Sequence, residues 1–372
     1  MVTEIAVAFA GTALLVCAIV ADQRWLDRHF LPSLFMPRHA FVLAATTARV
    51  VTAALGVALA LVLRSRMGRF VARIPPGTRF ADAARISLAV ALALGTSELV
   101  LRRTYTRATE ERPANEEPRR RRDQQLGWVF VPSHTSHDTI GGRTIEYAFD
   151  PAGYRVRRAD EPVDPERPTV IFTGESIMAG HGLTWDESVP AQVEALLETQ
   201  SANLAVNGYA NDQAYLRLRA ELPRFRRPVA VVSLFAPALF DRNLDDDRPH
   251  VGPGLVWLPA EHRSRLAAVA RWLVPYRSDD AIERGIAATR EVLLATVTLA
   301  RARGAVPLIV VPQFDPEEPV ERVLRRRILD EAGLPYVRVE LDPSWRVLGD
   351  PHPDARGTHA MAVAIATYLQ SR

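Results

Sequence analysis

The stretch VIFTGESIMAGHGL, residues 170–183, presents one serine, Ser176, just after a run of β-branched and aromatic residues. Such a run predicts a strand, and the small residues after it predict a turn into a helix. A serine hydroxyl at the start of a helix can act as a nucleophile, because free backbone N–H groups and the positive end of the helix dipole lie beside it. Serine is also a common helix cap. The stretch alone leaves both interpretations open.

A second group of polar residues lies near the C-terminus. The stretch GDPHPDARGTHAMAVAIATYL contains Asp350, His352, Asp354 and His359 before a closing helical pattern. A loop histidine after the last strand of a parallel sheet can reach the same sheet edge as Ser176. Such a histidine can accept the serine proton, while an acid fixes its tautomer and stabilises the imidazolium. The two stretches together favour a nucleophilic serine.

Strand-like and helix-like stretches alternate through the second half of the chain. The strand-like runs are TVIFTG, ANLAVNG, PVAVVSLFA, VPLIVVP and PYVRVEL, and helical patterns cover roughly Ser188 to Thr199, Asp212 to Leu222, Asp280 to Arg303, Pro319 to Ala332 and Asp354 to Gln370. This alternation predicts an α/β fold with a parallel sheet covered on both faces. Upstream, apolar and polar residues alternate around Gly141-Gly142, which predicts a β-hairpin. An insertion, Leu239 to Asp279, contains a helical pattern that we expect to pack on this domain, with a lid or a membrane-surface helix as the alternative.

The first hundred residues contain three apolar stretches, residues 5–21, 40–63 and 86–101. A helix that spans a bilayer needs about 20 mostly apolar residues. The second stretch is interrupted by Arg49 and the third contains Glu98, so we predict two or three transmembrane helices. Soluble core helices are the alternative, but they would show a polar face, which the first stretch lacks. The predicted organisation is a membrane region over 1–103, a charged linker over 104–125 and a folded domain over 126–372.

The arginines in the connections predict an orientation. The connection between the second and third stretches is richer in arginine than the first connection, which places it in the cytoplasm. With three spans, the folded domain then lies outside the cytoplasm. If the third stretch does not span, the domain stays inside.

Three short blocks resemble the SGNH (GDSL-type) serine hydrolases over about residues 126–372. VIFTGES resembles the block that holds the nucleophile, NLAVNGYANDQAYLRL the block whose glycine donates to the oxyanion, and DPHPDARGTHAMA the block that holds the histidine. The resemblance implies a flavodoxin-like three-layer α/β/α sandwich. It also implies Ser176 as nucleophile and first oxyanion donor, Gly208 as second donor and His352 as general base.

The chain departs from the family pattern at three points. Glu175 replaces the aspartate beside the serine. The acid expected three residues before the histidine is absent, so Asp350, two residues before it, completes the site, or the site is a Ser-His dyad. The oxyanion-hole asparagine is missing from LFAPALFDRN, and Asn243 is the substitute that we predict, with Asn207 and Asn211 as alternatives.

These observations predict a membrane-anchored serine esterase or O-acyl hydrolase in the inner membrane of a bacterium, with its hydrolase domain outside the cytoplasm. The alternatives are an O-acyltransferase and a catalytically inactive SGNH-like binding or assembly protein. We expect no cofactor and no catalytic metal, although the run LDDDRPH with Asp245 to Asp247 and His250 leaves a metal site as a minor alternative. The substrate is an ester or O-acyl group, such as one on an envelope polysaccharide or a lipid, and His181 is expected to line its pocket.

Composition excludes two other classes. The formal net charge is only +3, which gives no reason to expect a nucleic-acid partner. The single cysteine, Cys17, excludes an internal disulfide and a cysteine-based metal site.

Overall fold

A computed structural model describes residues 2–31, 33–104, 120–261 and 264–372 of the chain. The chain forms two compact units. The helical unit comprises Met1–Leu31, Met36–Thr106 and Arg263–Arg277. The sheet unit comprises Pro32–Phe35, Arg107–His262 and Ser278–Arg372.

The helical unit contains the apolar stretches. Its first helices are α1 (Val2–Val20), α2 (Gln23–His29), α3 (Arg38–Val57), α4 (Arg64–Arg73) and α5 (Pro76–Thr104), with a π-helical segment, Ala58–Leu63, between α3 and α4. Three helical stretches, Val2–Val20, Arg38–Arg73 and Phe80–Thr104, are long and apolar enough to cross a membrane. Helices α1 and α3 approach closely at two glycines, because a Cβ atom added to Gly11 would lie 2.7 Å from the carbonyl oxygen of Gly56.

The sheet unit is built on an eight-stranded sheet. The strands of the chain are β1 (Arg120–Asp123), β2 (Gly127–Phe130), β3 (His134–Ile140), β4 (Arg143–Phe149), β5 (Arg155–Val156), β6 (Pro168–Phe172), β7 (Gln200–Asn203), β8 (Arg227–Leu234), β9 (His250–Gly252), β10 (Val256–Leu258), β11 (Val306–Gln313) and β12 (Tyr336–Glu340). The order in the sheet is β12-β11-β8-β6-β7-β5-β4-β3, in which β12 to β7 pair in parallel and the last three strands are antiparallel. The parallel strands thus have the flavodoxin-like order 2-1-3-4-5.

Helices cover both faces of this sheet. The remaining helices are α6 (Ser176–Ala179), α7 (Val189–Leu197), α8 (Asn211–Glu221), α9 (Arg265–Leu273), α10 (Asp279–Ala302), α11 (Pro319–Arg325) and α12 (Ala355–Gln370), with 3-10 turns at Leu222–Arg224, Pro237–Leu244 and Pro253–Leu255 and a π-helical turn at Arg326–Asp330. Along β6, Val170 and Phe172 are buried in one core with residues of α7 and α12, whereas Ile171 is buried in another with residues of α8 and α10. Successive strand residues point to opposite faces, so the sheet forms the middle of three layers. The predicted parallel sheet and the hairpin at Gly141-Gly142 are confirmed.

Two segments differ from the sequence-based expectation. Most of the predicted linker, residues 105–119, lies outside the described residues, but its last part forms β1, which pairs with β2. The amphipathic helix of the insertion, α9, belongs to the helical unit, so the prediction that it packs on the folded domain is wrong. The reason lies in Glu98 of α5, whose carboxylate accepts hydrogen bonds from the backbone N–H groups of Arg265 and Leu266 and from the Ser264 hydroxyl. A carboxylate satisfies the free N–H groups at a helix N-terminus.

Candidate active site

Ser176 lies where the strand order of the parallel sheet reverses. Strand β6 ends at Phe172, its neighbours are β7 and β8, and Ser176 begins the short helix α6 four residues later. The crevice between the first and third strands of a flavodoxin-like sheet is where such folds bind ligands. Gly174 makes the connection possible, because its φ of 151° is a conformation that residues with a Cβ rarely adopt. The fold therefore places Ser176 at the sheet edge where folds of this topology bind ligands.

The loop after β12 brings His352 to this hydroxyl. His352 Nε2 lies 2.7 Å from Ser176 Oγ, and His352 Nδ1 lies 2.5 Å from Asp350 Oδ1. The Asp350 carboxylate also accepts the backbone N–H of His352 at 2.9 Å, which fixes the short loop between the two residues. A proton on Nδ1 satisfies both contacts, since Nδ1 then donates to the carboxylate and Nε2 accepts from the serine. This arrangement lets the serine proton move to the imidazole.

Asp350 therefore reaches His352 although it precedes the histidine by two residues instead of three. Ser176 and His352 are each only 4% exposed. Burial alone would raise the pKa of Asp350, but hydrogen bonds from His181 and His352 hold the pKa of this carboxyl well below its ordinary value. Asp350 is therefore ionised at neutral pH and able to stabilise an imidazolium at His352.

His181 lies on the other side of the same carboxylate. Its Nε2 atom is 3.6 Å from Asp350 Oδ2, and its ring centroid is 4.7 Å from that of His352. Its Nδ1 atom contacts the side-chain amide of Asn207 at 3.2 Å. The residue predicted to line the substrate pocket thus also contacts the acid.

One group of described residues has the composition and spacing of a metal site. The candidate ligand atoms of His181, Asp350 and His352 lie within 4.8 Å of one another. In the structure, Asp350 Oδ1 contacts His352 Nδ1 at 2.5 Å, and Asp350 Oδ2 lies 3.6 Å from His181 Nε2. The residues of LDDDRPH do not form such a group in the described part of the chain, where Asp245 pairs with Arg248 at 2.8 Å.

The two backbone N–H groups predicted as oxyanion donors, those of Ser176 and Gly208, have no acceptor within the described part of the protein. The turn at Gly208 needs a glycine because its φ is 81°. The turn is held by Trp128, whose indole N–H donates to the Asn207 carbonyl at 2.9 Å, and by Arg248, which donates to the Gly208 carbonyl at 2.6 Å.

The side chain of Asn243, the predicted substitute donor, pairs with Asn211. Its Oδ1 atom accepts the backbone N–H of Asn211 and its Nδ2 donates to Asn211 Oδ1, both at 2.9 Å. Asn211 in turn donates to the carbonyl of Leu234, the last residue of β8. The two asparagines therefore tie the turn after β8 to the start of α8.

A partly buried ion pair beside Ser176 was not predicted from the sequence. Glu175 Oε2 lies 2.5 Å from Ser176 Oγ and accepts from Arg242 Nη1 at 3.1 Å. Glu175 Oε1 accepts the backbone N–H of Ile177 at 3.2 Å. An acid next to the serine was visible in the sequence, but nothing local indicates that an arginine 67 residues away would reach it.

A second arginine holds the segment that follows Ser176. Arg155 is 1% exposed, and its guanidinium donates to the carbonyls of Ala179, Gly180 and Leu183 at 2.5 to 2.7 Å. Its guanidinium carbon lies 4.5 Å from the ring centre of Tyr147, and burial lowers its pKa to about 10. Arg155 thereby fixes the backbone between the serine and His181.

Solved structures with a similar fold include several esterases. The chain is similar to a candidate arylesterase from Agrobacterium tumefaciens strain C58, with 16% identity, a TM-score of 0.36, and coverage of 55% of this chain and 99% of that one. It is also similar to an acetyl xylan esterase from the rumen bacterium Butyrivibrio proteoclasticus, with 11% identity, a TM-score of 0.35, and coverage of 57% of this chain and 66% of that one. A carbohydrate acetylesterase from Sinorhizobium meliloti has 11% identity, a TM-score of 0.34, and coverage of 55% of this chain and 99% of that one. No protein-family model and no curated protein matches the sequence.

Proposed function

We propose that this protein is a serine hydrolase that cleaves an ester or O-acyl bond through an acyl-enzyme on Ser176. One observation carries the proposal: Ser176 Oγ, the His352 ring and the Asp350 carboxylate form a continuous chain of contacts of 2.7 and 2.5 Å at the switch point of the sheet. In such a chain the histidine removes the serine proton as the hydroxyl attacks, and the acid stabilises the imidazolium.

The reaction needs two steps. Ser176 Oγ attacks the ester carbonyl carbon, its proton passes to His352 Nε2, and the carbonyl oxygen becomes an oxyanion near the N–H groups of Ser176 and Gly208. The C–O bond to the alcohol then breaks and His352 returns the proton to the leaving oxygen. In the second step His352 takes a proton from water and the hydroxide attacks the acyl carbon. The bond between that carbon and Ser176 Oγ then breaks, His352 returns its proton to Ser176 Oγ, and the acid is released.

Labelling with a fluorophosphonate tests the proposal on the full chain in detergent. We expect one covalent adduct, located on Ser176 by mass spectrometry, which disappears in Ser176→Ala and forms much more slowly in His352→Ala. His359→Ala is the matched control, because this exposed histidine lies on α12 and contacts Gln192 instead of the serine. A folded wild-type protein that does not react would contradict the proposal and support an inactive binding or assembly protein.

Ester cleavage itself is measured on p-nitrophenyl esters from acetyl to long acyl chains. We expect release of p-nitrophenol with the same dependence on Ser176 and His352. Activity on long chains only would exclude a deacetylase. Transfer of the acyl group to an added alcohol in preference to water would identify an O-acyltransferase.

We also propose that the chain is anchored in the inner membrane of a bacterium, with the sheet unit outside the cytoplasm. The arginine-rich connection before α5 supports this orientation. A second support comes from residues 33–35, which follow the first candidate span and precede α3 but belong to the sheet unit. If the N-terminus is cytoplasmic, these residues and the rest of the sheet unit lie outside after the first crossing. The Leu34 N–H donates to the Ala238 carbonyl at 3.0 Å, and the Phe35 ring lies 6.2 Å from the His352 ring.

A further inference from the structure

The stretch LFAPALFDRN lacks the oxyanion-hole asparagine that the family resemblance leads one to expect, and Arg242, the residue before Asn243, is placed to supply a side-chain donor. The chain leaves β8 at Leu234 and enters the 3-10 turn Pro237–Leu244, which holds both residues. Asn243 is engaged by Asn211. This pairing anchors the turn. The adjacent residue of the turn, Arg242, extends its side chain to Glu175 beside Ser176.

The guanidinium of Arg242 lies close to the reacting hydroxyl. Its Nη1 atom donates to Glu175 Oε2, and the same oxygen lies 2.5 Å from Ser176 Oγ. The side chain is 19% exposed. Among the described residues, its Nε and Nη2 groups have no protein acceptor and are not sealed from solvent. These N–H groups therefore remain available to a bound substrate.

The aromatic ring of Phe35 lies beside this guanidinium. The centre of the Phe35 ring lies 5.8 Å from the Arg242 guanidinium carbon and 6.2 Å from the centre of the His352 ring, with the two rings inclined at 71°. Phe35 is 57% exposed in spite of these contacts. Phe35 is therefore near both Arg242, which binds Glu175, and His352, which contacts Ser176.

Charge also requires a cation at this position. An ionised Glu175 directly beside Ser176 repels the negative charge that develops on the ester oxygen, and this repulsion is stronger in a partly buried site than in water. Arg242 offsets the charge of Glu175 with one N–H and still has four other guanidinium N–H groups. A neutral asparagine could not fill both roles.

We propose that Arg242 is a catalytic residue that donates the third hydrogen bond to the oxyanion formed when Ser176 attacks its ester. This assignment rests on the proposed hydrolase function. A hydrogen bond to the oxyanion is stronger in the transition state than in the ground state. Loss of its donor therefore lowers kcat more than it raises KM.

The test compares Arg242→Gln and Arg242→Lys in the full chain in detergent, on an ester that the wild type hydrolyses. We expect kcat of Arg242→Gln to fall on the order of 100-fold, as for the loss of other oxyanion donors, with little change in KM. Arg242→Lys keeps the positive charge but loses the planar guanidinium group, so its kcat should lie between that of the wild type and that of Arg242→Gln. Arg327→Gln is the matched control, since Arg327 pairs with Glu283 on the surface.

A boronic acid provides a readout that a purely structural role would not change. It forms a tetrahedral anionic adduct on the serine, so its affinity for Arg242→Gln should fall in proportion to kcat/KM. Rates are expressed per active site titrated with the fluorophosphonate, which removes any effect of partial unfolding. If the wild type reacts and turns over but Arg242→Gln keeps its kcat and its boronic acid affinity, this inference is wrong and the hydrolase proposal stands. If the wild type does not react at all, the hydrolase proposal itself fails.

Discussion

At the scale of single residues, the chemistry depends on where the proton of Ser176 goes. The hydroxyl has one proton and two neighbours that accept it, Glu175 Oε2 and His352 Nε2. Glu175 already accepts from Arg242 and from the N–H of Ile177, which lowers its need for a further donor. Asp350, by contrast, gains a stronger partner when His352 becomes an imidazolium. Asp350 therefore directs the proton to the histidine in the proposed mechanism.

Replacing Asp350 by asparagine tests this role in catalysis. The amide keeps the shape of the side chain but favours the wrong histidine tautomer, so we expect kcat/KM for ester hydrolysis to fall by a factor on the order of 10³ to 10⁴. Asp160→Asn serves as the control, because this exposed aspartate pairs with Arg158 on the surface. A fall of less than tenfold for Asp350→Asn would mean that the site works as a Ser-His dyad.

The lowered pKa of Asp350 also predicts a dependence of stability on pH. A carboxylate whose folded-state pKa is lowered stabilises the fold above its unfolded pKa, about 4, and loses this contribution as the pH falls through the lower folded value. Wild type should therefore unfold at a higher temperature than Asp350→Asn at pH 7 and still at pH 5, and the gap should close only in stronger acid. Thermal unfolding at a series of pH values measures the gap. Its disappearance between pH 7 and pH 5 would show that the carboxylate is not held in this way.

At the scale of secondary-structure elements, the antiparallel strands position the segment that carries Ser176 and His181. Tyr147 on β4 accepts the backbone N–H of Gly182 at 2.8 Å, and Arg155 on β5 binds three carbonyls of the same segment. Gly180 is required there, because its φ is 76° and a Cβ atom would lie 2.5 Å from Arg155 Nη1. The antiparallel strands β4 and β5 thus hold the backbone of the segment that follows Ser176 in the candidate active site.

Substituting Arg155 tests this arrangement. Arg155→Met leaves buried carbonyls without donors, so we expect a loss in the free energy of unfolding on the order of 3 kcal/mol. Ester hydrolysis should fall as well, since the backbone around His181 is no longer held. Arg157→Met is the matched control two residues along the chain, because Arg157 is exposed and pairs with Asp186. Equal stability of the two variants in denaturant unfolding would contradict the proposed role of Arg155.

What could be predicted from sequence follows from the range of the interactions. The strands and helices of the α/β layers have local periodic patterns, and the helix predicted at Asp280 to Arg303, for example, is observed at Asp279–Ala302. Ser176, Asp350 and His352 could be placed together because the ends of parallel strands share one sheet edge. The Glu175–Arg242 pair, the contacts of Arg155 and the placement of α9 depend on residues distant in sequence, for which local patterns carry no information. The strand predicted in ANLAVNG is observed as Gln200–Asn203, and beyond it the chain still follows β6, since Leu204 N–H donates to the Phe172 carbonyl.

At the scale of the whole molecule, the course of the chain limits the number of crossings that the proposed membrane anchoring allows. Residues 33–35 come before α3, and most of the sheet unit comes after α5, yet both belong to one compact unit. In a membrane-anchored protein they therefore lie on the same side. If Val2–Val20 and Arg38–Arg73 both cross, then Phe80–Thr104 must cross as well, because two crossings are needed to return to the same side. Three spans and a cytoplasmic N-terminus then leave the sheet unit outside.

Labelling of single cysteines in intact cells tests this topology. The background is Cys17→Ser, which removes the only natural cysteine. Into it we introduce either Ser371→Cys, at the exposed end of the sheet unit, or Thr78→Cys, an exposed residue between the second and third candidate spans. A membrane-impermeant maleimide should label position 371 from outside, whereas position 78 should react only after the membrane is permeabilised, because arginine-rich connections are usually retained in the cytoplasm. Protection of position 371 in intact cells, with labelling of position 78, would reverse the orientation. Protection of both would mean that Phe80–Thr104 does not cross, which the shared unit of residues 33–35 and the remaining sheet argues against.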